Sequence, residues 1–192
     1  MNKIYIVHCW SGKKEDGWYP WLDNKISDNN NNQVIRFDMP DTDYPRIDVW
    51  VNELDKHVDN LDENTYFVGH SIGCQTIMRY LEKQDKKIGG ILFVTPWLDL
   101  LPKAVSDEES YNIAYPWLNT KVDFEKIKSL TTNITCIFSD DDYFVPIDQV
   151  EEFRKKLSAK TIIVKRKGHM SATDGIGKSD EIYDELKKII ER

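Results

Sequence analysis

The sequence lacks the marks of a membrane, secreted or nucleic-acid-binding protein. No apolar run approaches the ~20 residues that a membrane-spanning helix needs. The short apolar stretch Ile4 to Val7 leads into polar sequence instead of a small-residue cleavage site, so no signal peptide is expected. Cysteine is scarce. Cys9, Cys74 and Cys136 are too few and too dispersed for a disulfide framework or a zinc knuckle. Each lies beside an apolar run, which predicts buried free thiols and a cytoplasmic protein. Positive charge is in deficit as well. With 26 Lys and Arg against 33 Asp and Glu the net charge is −7, which disfavours nucleic acid or an anionic membrane as a partner. The run Lys165-Arg166-Lys167 is too short to reverse that and reads as a solvated loop. Neither a repeat nor a linker-like stretch divides the chain, so residues 1–192 are expected to form one domain.

What the chain does hold is apolar sequence in short pieces. Six runs predict strands: Lys3–His8, Gln33–Phe37, Thr65–Val68, Ile91–Thr95, Ile134–Phe138 and Thr161–Val164. Between them apolar residues recur at helical spacing, as at Trp18, Trp21, Leu22 and Ile26, or Trp50, Val51, Leu54 and Val58. Further helices are expected from Cys74 to about Glu82, over Asp123–Leu130 and Pro146–Leu157, and over Ser179–Ile190. Pro96 to Asn119 shows no readable period. Alternation of this kind predicts an α/β fold, a three-layer α/β/α sandwich around a mostly parallel six-stranded sheet. Ligands bind such sheets beyond the carboxyl ends of the strands, so the residues just after each strand are the ones to inspect.

After the third run comes Gly69-His70-Ser71-Ile72-Gly73, a Gly-x-Ser-x-Gly pentapeptide between a strand and a helix. In that setting the pattern predicts a sharp turn that lifts the Ser71 hydroxyl above the sheet edge as a nucleophile. A serine hydroxyl is a weak nucleophile at neutral pH and needs an imidazole to take its proton, steadied by a carboxylate. The fifth strand leads into Asp140-Asp141-Asp142 and the sixth into Gly168-His169. Asp142 is the expected acid because it directly precedes Tyr143-Phe144-Val145-Pro146; Asp99, after the fourth strand, competes with it. Two backbone N–H groups would stabilise an oxyanion, that of Ile72 and one from the loop after the first strand, Trp10 or Cys9. His8 is placed to shape that loop, His70 to pack inside the turn, and His57 to face solvent. Trp10, Trp97 and Trp117 are candidates for the wall of an apolar acyl pocket. No set of ligands at metal spacing accompanies the aspartates, so neither metal nor cofactor is expected.

With these residues placed, the chain resembles the small serine hydrolases of the retinoblastoma-binding-protein-9 family, within the α/β-hydrolase superfamily. The matching pieces are Ile6-Val7-His8, the Trp18/Trp21 helix, Met39-Pro40-Asp41 leading to Trp50, and Val68 to Gly73. Asp141 to Pro146 and Gly168-His169 complete the series in order. The resemblance implies a minimal α/β-hydrolase fold without a large lid, cleaving small carboxylic esters or thioesters with Ser71, Asp142 and His169 as its triad. Two departures stand out. Cys9 occupies a position where relatives carry glycine, and no Leu-x-Cys-x-Glu segment is present, so no retinoblastoma-protein partner is carried over. A competing reading is a weakly catalytic member of the fold that works as a binding module.

Overall fold

The computed structural model describes residues 1–192. Its six strands are β1 (Asn2–Val7), β2 (Asn32–Arg36), β3 (Thr65–His70), β4 (Gly90–Val94), β5 (Ile134–Ser139) and β6 (Lys160–Val164). They form one sheet in the order β2-β1-β3-β4-β5-β6, and every pairing is parallel. Seven helices flank it: α1 (Tyr19–Ser27), α2 (Ile47–His57), α3 (Ile72–Leu81), α4 (Glu108–Asn119), α5 (Phe124–Leu130), α6 (Gln149–Leu157) and α7 (Asp180–Ile190).

The three layers follow from the two-residue period of a strand. In β1, Tyr5 and Val7 join one apolar cluster while Ile4 and Ile6 join another on the opposite face. In β3, Phe67 falls in the first cluster and Tyr66 and Val68 in the second. Helices α2, α3, α5 and α6 cover the first face through residues such as Trp50, Ile77, Ile127 and Phe153. The second is covered by α1 and α7 through Leu22, Ile26, Ile182 and Leu186. No helix is long and apolar enough to cross a membrane.

The chain steps from β1 outward to β2, then returns to the other side of β1 for β3. That reversal opens a crevice between the carboxyl ends of β1 and β3, where sheets of this type take their ligands. It brings the loop Cys9–Gly12 alongside Ser71.

Two segments differ from expectation. The stretch after Pro96 holds a single 3₁₀ turn (Pro102–Val105) and then the twelve-residue helix α4. Its start is set by a reciprocal cap, in which Asp107 accepts from the Ser110 N–H and the Ser110 hydroxyl accepts from the Asp107 N–H. Only Ala114 and Trp117 of that helix are buried, which is why no apolar stripe was readable. The helix expected from Pro146 begins at Gln149. The Gln149 and Val150 N–H groups bond the Pro146 and Ile147 carbonyls, three residues back, so the chain turns tightly before the helix opens.

Candidate active site

The turn after β3 is strained. Ser71 has φ 53° and ψ −117°, a conformation that side chains other than glycine adopt rarely. Its N–H is held by the Val94 carbonyl at 2.9 Å. The flanking glycines are dictated by space. A Cβ on Gly69 would stand 2.8 Å from the Cys74 backbone, and one on Gly73 would stand 2.4 Å from the Val7 carbonyl oxygen. With this turn the Ser71 hydroxyl reaches the crevice, where its oxygen accepts a hydrogen bond from the Trp97 indole N–H at 3.2 Å.

The three consecutive aspartates divide their work. Asp140 accepts from the Arg166 N–H at 2.8 Å, and Asp141 accepts from the Gly168 N–H at 2.8 Å and the Ser139 hydroxyl at 2.8 Å. Those bonds hold the Asp141 carboxyl below the ordinary carboxylate range, first through Ser139 and then through Gly168. They also tie the loop after β5 to the loop after β6. The third aspartate then meets His169: Asp142 Oδ2 lies 2.8 Å and Oδ1 3.1 Å from His169 Nδ1. Asp142 Oδ1 takes the Phe144 and Val145 N–H groups as well, at 2.9 and 3.1 Å. An acceptor of this kind places the proton on His169 Nδ1 and leaves Nε2 with its lone pair. Both side chains are buried, 3% exposed for Asp142 and 7% for His169. The loop carrying His169 winds through left-handed backbone at Arg166 and Met170, with φ 53° and 55°. It is pinned by a hydrogen bond from the Trp18 indole to the Met170 carbonyl, 3.0 Å.

On the other side of Ser71, the peptides after β1 are oriented by two buried histidines. His8 Nε2 accepts from the Met39 N–H at 3.2 Å, so its Nδ1 carries the proton and donates to the Cys9 carbonyl at 2.8 Å. Gly12 N–H donates to that same carbonyl. Every peptide bond is trans, so the Trp10 N–H points away from it, and that N–H has no acceptor within the protein. The Cys9 N–H, by contrast, donates to the Tyr19 hydroxyl at 3.2 Å. Ile72 opens α3, where N–H groups have no partner within the helix.

Behind this wall His70 is fully buried and neutral, its pKa lowered to about 4 by burial. Its Nε2–H donates to the His169 carbonyl at 2.8 Å, and its Nδ1 accepts from the Tyr19 hydroxyl at 2.6 Å. Cys9, Tyr19, His70 and His169 are thereby one chain of hydrogen bonds across two loops, the end of β3 and the start of α1.

Ser71, Ile72, His169, Trp10 and Cys9 all line one cavity of about 390 Å³, with Tyr19, Trp97, Leu100, Phe144 and Ala172 among its other walls. Asp142 stands behind His169, outside the cavity lining. No hydrogen bond joins His169 to Ser71. Asp99 is not brought to the site, since its carboxylate takes the Leu100 N–H at 2.9 Å. His57 is exposed beside Glu53 on α2. Trp117 does not wall the cavity; it is a buried residue of α4. The expectation of three buried thiols is corrected at one position: Cys74 and Cys136 are buried, but Cys9 follows the end of β1 and is half-buried at the cavity. No group of three or more His, Cys, Asp or Glu side chains is arranged to hold a metal ion.

Trp10 and Trp97 wall the cavity as expected, but two contacts of the site were not read from the sequence. The Tyr19–His70 bond joins residues 51 positions apart and leaves no sequence signal. Trp97 did leave one, standing three residues beyond β4 at the edge where ligands bind, yet its indole contact with Ser71 was not foreseen.

Comparisons with known proteins lead to hydrolases. A family model described as serine hydrolase matches residues 4–188. YdeN of Bacillus subtilis, named as a hydrolase, is 28% identical over 188 residues, covering 96% of this chain and 94% of its own. The serine hydrolase RBBP9 of Rattus norvegicus is 27% identical over 158 residues, covering 82% of this chain and 80% of its own. The crystal structure of the Bacillus subtilis ydeN gene product superposes over the whole of both chains with a TM-score of 0.90 at 26% identity.

Proposed function

The chain belongs to the serine hydrolase family, and from that premise we propose that it cleaves small carboxylic esters, or thioesters, through an acyl-enzyme on Ser71. His169 Nε2 takes the hydroxyl proton as Ser71 Oγ bonds to the substrate carbonyl carbon, and the carbonyl electron pair moves onto oxygen. The Ile72 and Trp10 N–H groups receive that oxyanion. The intermediate collapses as the alcohol leaves with the proton from His169. Water then repeats the sequence: its proton goes to His169, its oxygen bonds to carbon, and the acid departs as Ser71 Oγ regains its electron pair and proton. Asp142 holds the imidazole in the Nδ1–H form and stabilises its charged state.

The observation that carries this reading is the buried Asp142–His169 pair at 2.8 Å, opening onto the same cavity as a strained serine. Strain of that order costs about 1–3 kcal/mol and persists where function uses it. Catalytic hydrogen bonds often close only when substrate is bound, so the missing bond between Ser71 and His169 fits a resting site. A cavity of about 390 Å³ suits a small substrate. Of the two candidates on the loop after β1, Trp10 is favoured because the Cys9 N–H is already bonded to Tyr19.

The test is labelling with a fluorophosphonate probe. The intact protein should be labelled and the Ser71→Ala variant should not. Labelling that persists in Ser71→Ala overturns the assignment.

A further inference from the structure

We propose that Trp97 is a catalytic residue: its indole N–H is a permanent donor to the nucleophile oxygen, stabilising the charge that Ser71 Oγ carries as it attacks and again as it leaves. The proposal rests on Ser71 being the nucleophile.

A serine hydroxyl has one proton and two lone pairs. In the reaction above the proton goes to His169 and one lone pair forms the bond to carbon. The second lone pair is free throughout, and it is the one that meets the Trp97 Nε1–H at 3.2 Å. The bond need not break at any stage. It is weak when Oγ is a neutral hydroxyl or an ester oxygen, and strengthens when Oγ is briefly anionic, since a charged acceptor binds its donor more tightly. An interaction that is stronger in the transition state than in the ground state raises the rate.

The chain accepts several local costs to put the indole there. Thr95, just after β4, is a β-branched residue with φ 45°, where such residues are outliers. Its buried hydroxyl finds no hydrogen-bond partner. The bend it makes, followed by Pro96, turns Trp97 back over the elbow. Two buried glutamines then lock the turn. Gln75 Nε2 donates to the Trp97 carbonyl at 2.7 Å, while its own carbonyl oxygen is left unpaired. Gln149 Oε1 accepts the Leu98 N–H at 2.8 Å and the Asp99 N–H at 3.3 Å. Trp97 is 2% exposed, and its indole N–H has no acceptor in the protein other than Oγ. A tryptophan serving only as an apolar wall would need none of this.

The experiment replaces Trp97 by benzothienylalanine, which keeps the ring shape and puts sulfur where the N–H was, alongside Trp97→Phe from ordinary expression. Two rates are read: the second-order rate of fluorophosphonate labelling, and the deacylation rate after the burst with a p-nitrophenyl ester. Both should fall on the order of ten-fold in the analogue, the loss of one hydrogen bond to a charged oxygen, with KM within about two-fold. Trp97→Phe, checked for folding by circular dichroism, should lose at least as much in kcat. Either rate staying within two-fold of the parent in both variants, or either rising, overturns the proposal. Failure of the underlying reading looks different: the unmodified protein would show no burst, or Ser71→Ala would still be labelled.

Discussion

Two of the hollows on the surface of the molecule are built in opposite ways. The one at the strand ends, about 390 Å³, is lined from the segments after β1, β3, β4, β5 and β6, and side chains there are held by buried or partly buried hydrogen bonds. The other lies between α2, α3 and α4, and at about 1020 Å³ it is more than twice as large. It is edged by Tyr44 and by charged side chains of both signs, Arg46, Lys83, Glu108 and Glu109, with no buried nucleophile or base. Volume alone would favour the second hollow; it is the convergence of held polar groups that makes the first the candidate active site.

That contrast can be broken or sharpened by substitution. The largest effect is expected from Ser71→Ala, which should lose on the order of 10⁶ in kcat if the triad acts as a unit. Asp142→Asn keeps the shape but favours the wrong imidazole tautomer, and should cost on the order of 10⁴ in kcat; a loss below ten-fold would point to another acid.

A third prediction concerns the wall behind the smaller hollow. His70 has a folded pKa of about 4, depressed by burial, against 6.5 when unfolded. Between those values the unfolded state binds the extra proton, so folding stability is fully present above pH 6.5 and falls as pH drops toward 4. The span amounts to about 3 kcal/mol. Burial depresses His8 in the same direction. Denaturant titrations at pH 7 and pH 4.5 should therefore differ less in His70→Gln than in the parent, whatever that variant's stability at pH 7. Equal differences would show that His70 titrates normally. The smallest effect is expected in the larger hollow, where Lys83→Ala and Tyr44→Ala should leave ester kcat/KM within about two-fold.

The parts of this fold that were legible are those where burial is symmetric. The inner strands announced themselves because both faces of a parallel sheet are covered, leaving nearly unbroken runs such as Ile91 to Val94 and Ile134 to Phe138. The edge strands β2 and β6 are only partly buried and showed as shorter apolar runs. The elbow was legible because Gly69 and Gly73 answer to close approach, a requirement no other residue meets. Helix α4 was hidden because it buries only Ala114 and Trp117 and carries Pro116 within its last turn. At the site, strand-end position singled out Ser71, Asp142 and His169. It could not reveal how the loops are locked together, because Asp140 to Arg166 and Tyr19 to His70 are long-range bonds between residues with no fixed spacing. Trp97 sits between these cases, visible in position and silent in role.

The order of the strands bears on when this protein could first act. By the end of α3 a growing chain has made the taut serine, and β1 can already pair with both of its neighbours. The imidazole comes from the loop after β6, the last strand to join, and its face of the sheet is closed by α7, which packs on β4 and β5 and against α1. On the proposed mechanism a growing chain therefore holds its strained serine long before its base, and reactivity waits until the loop after β6 and α7 have been made and docked.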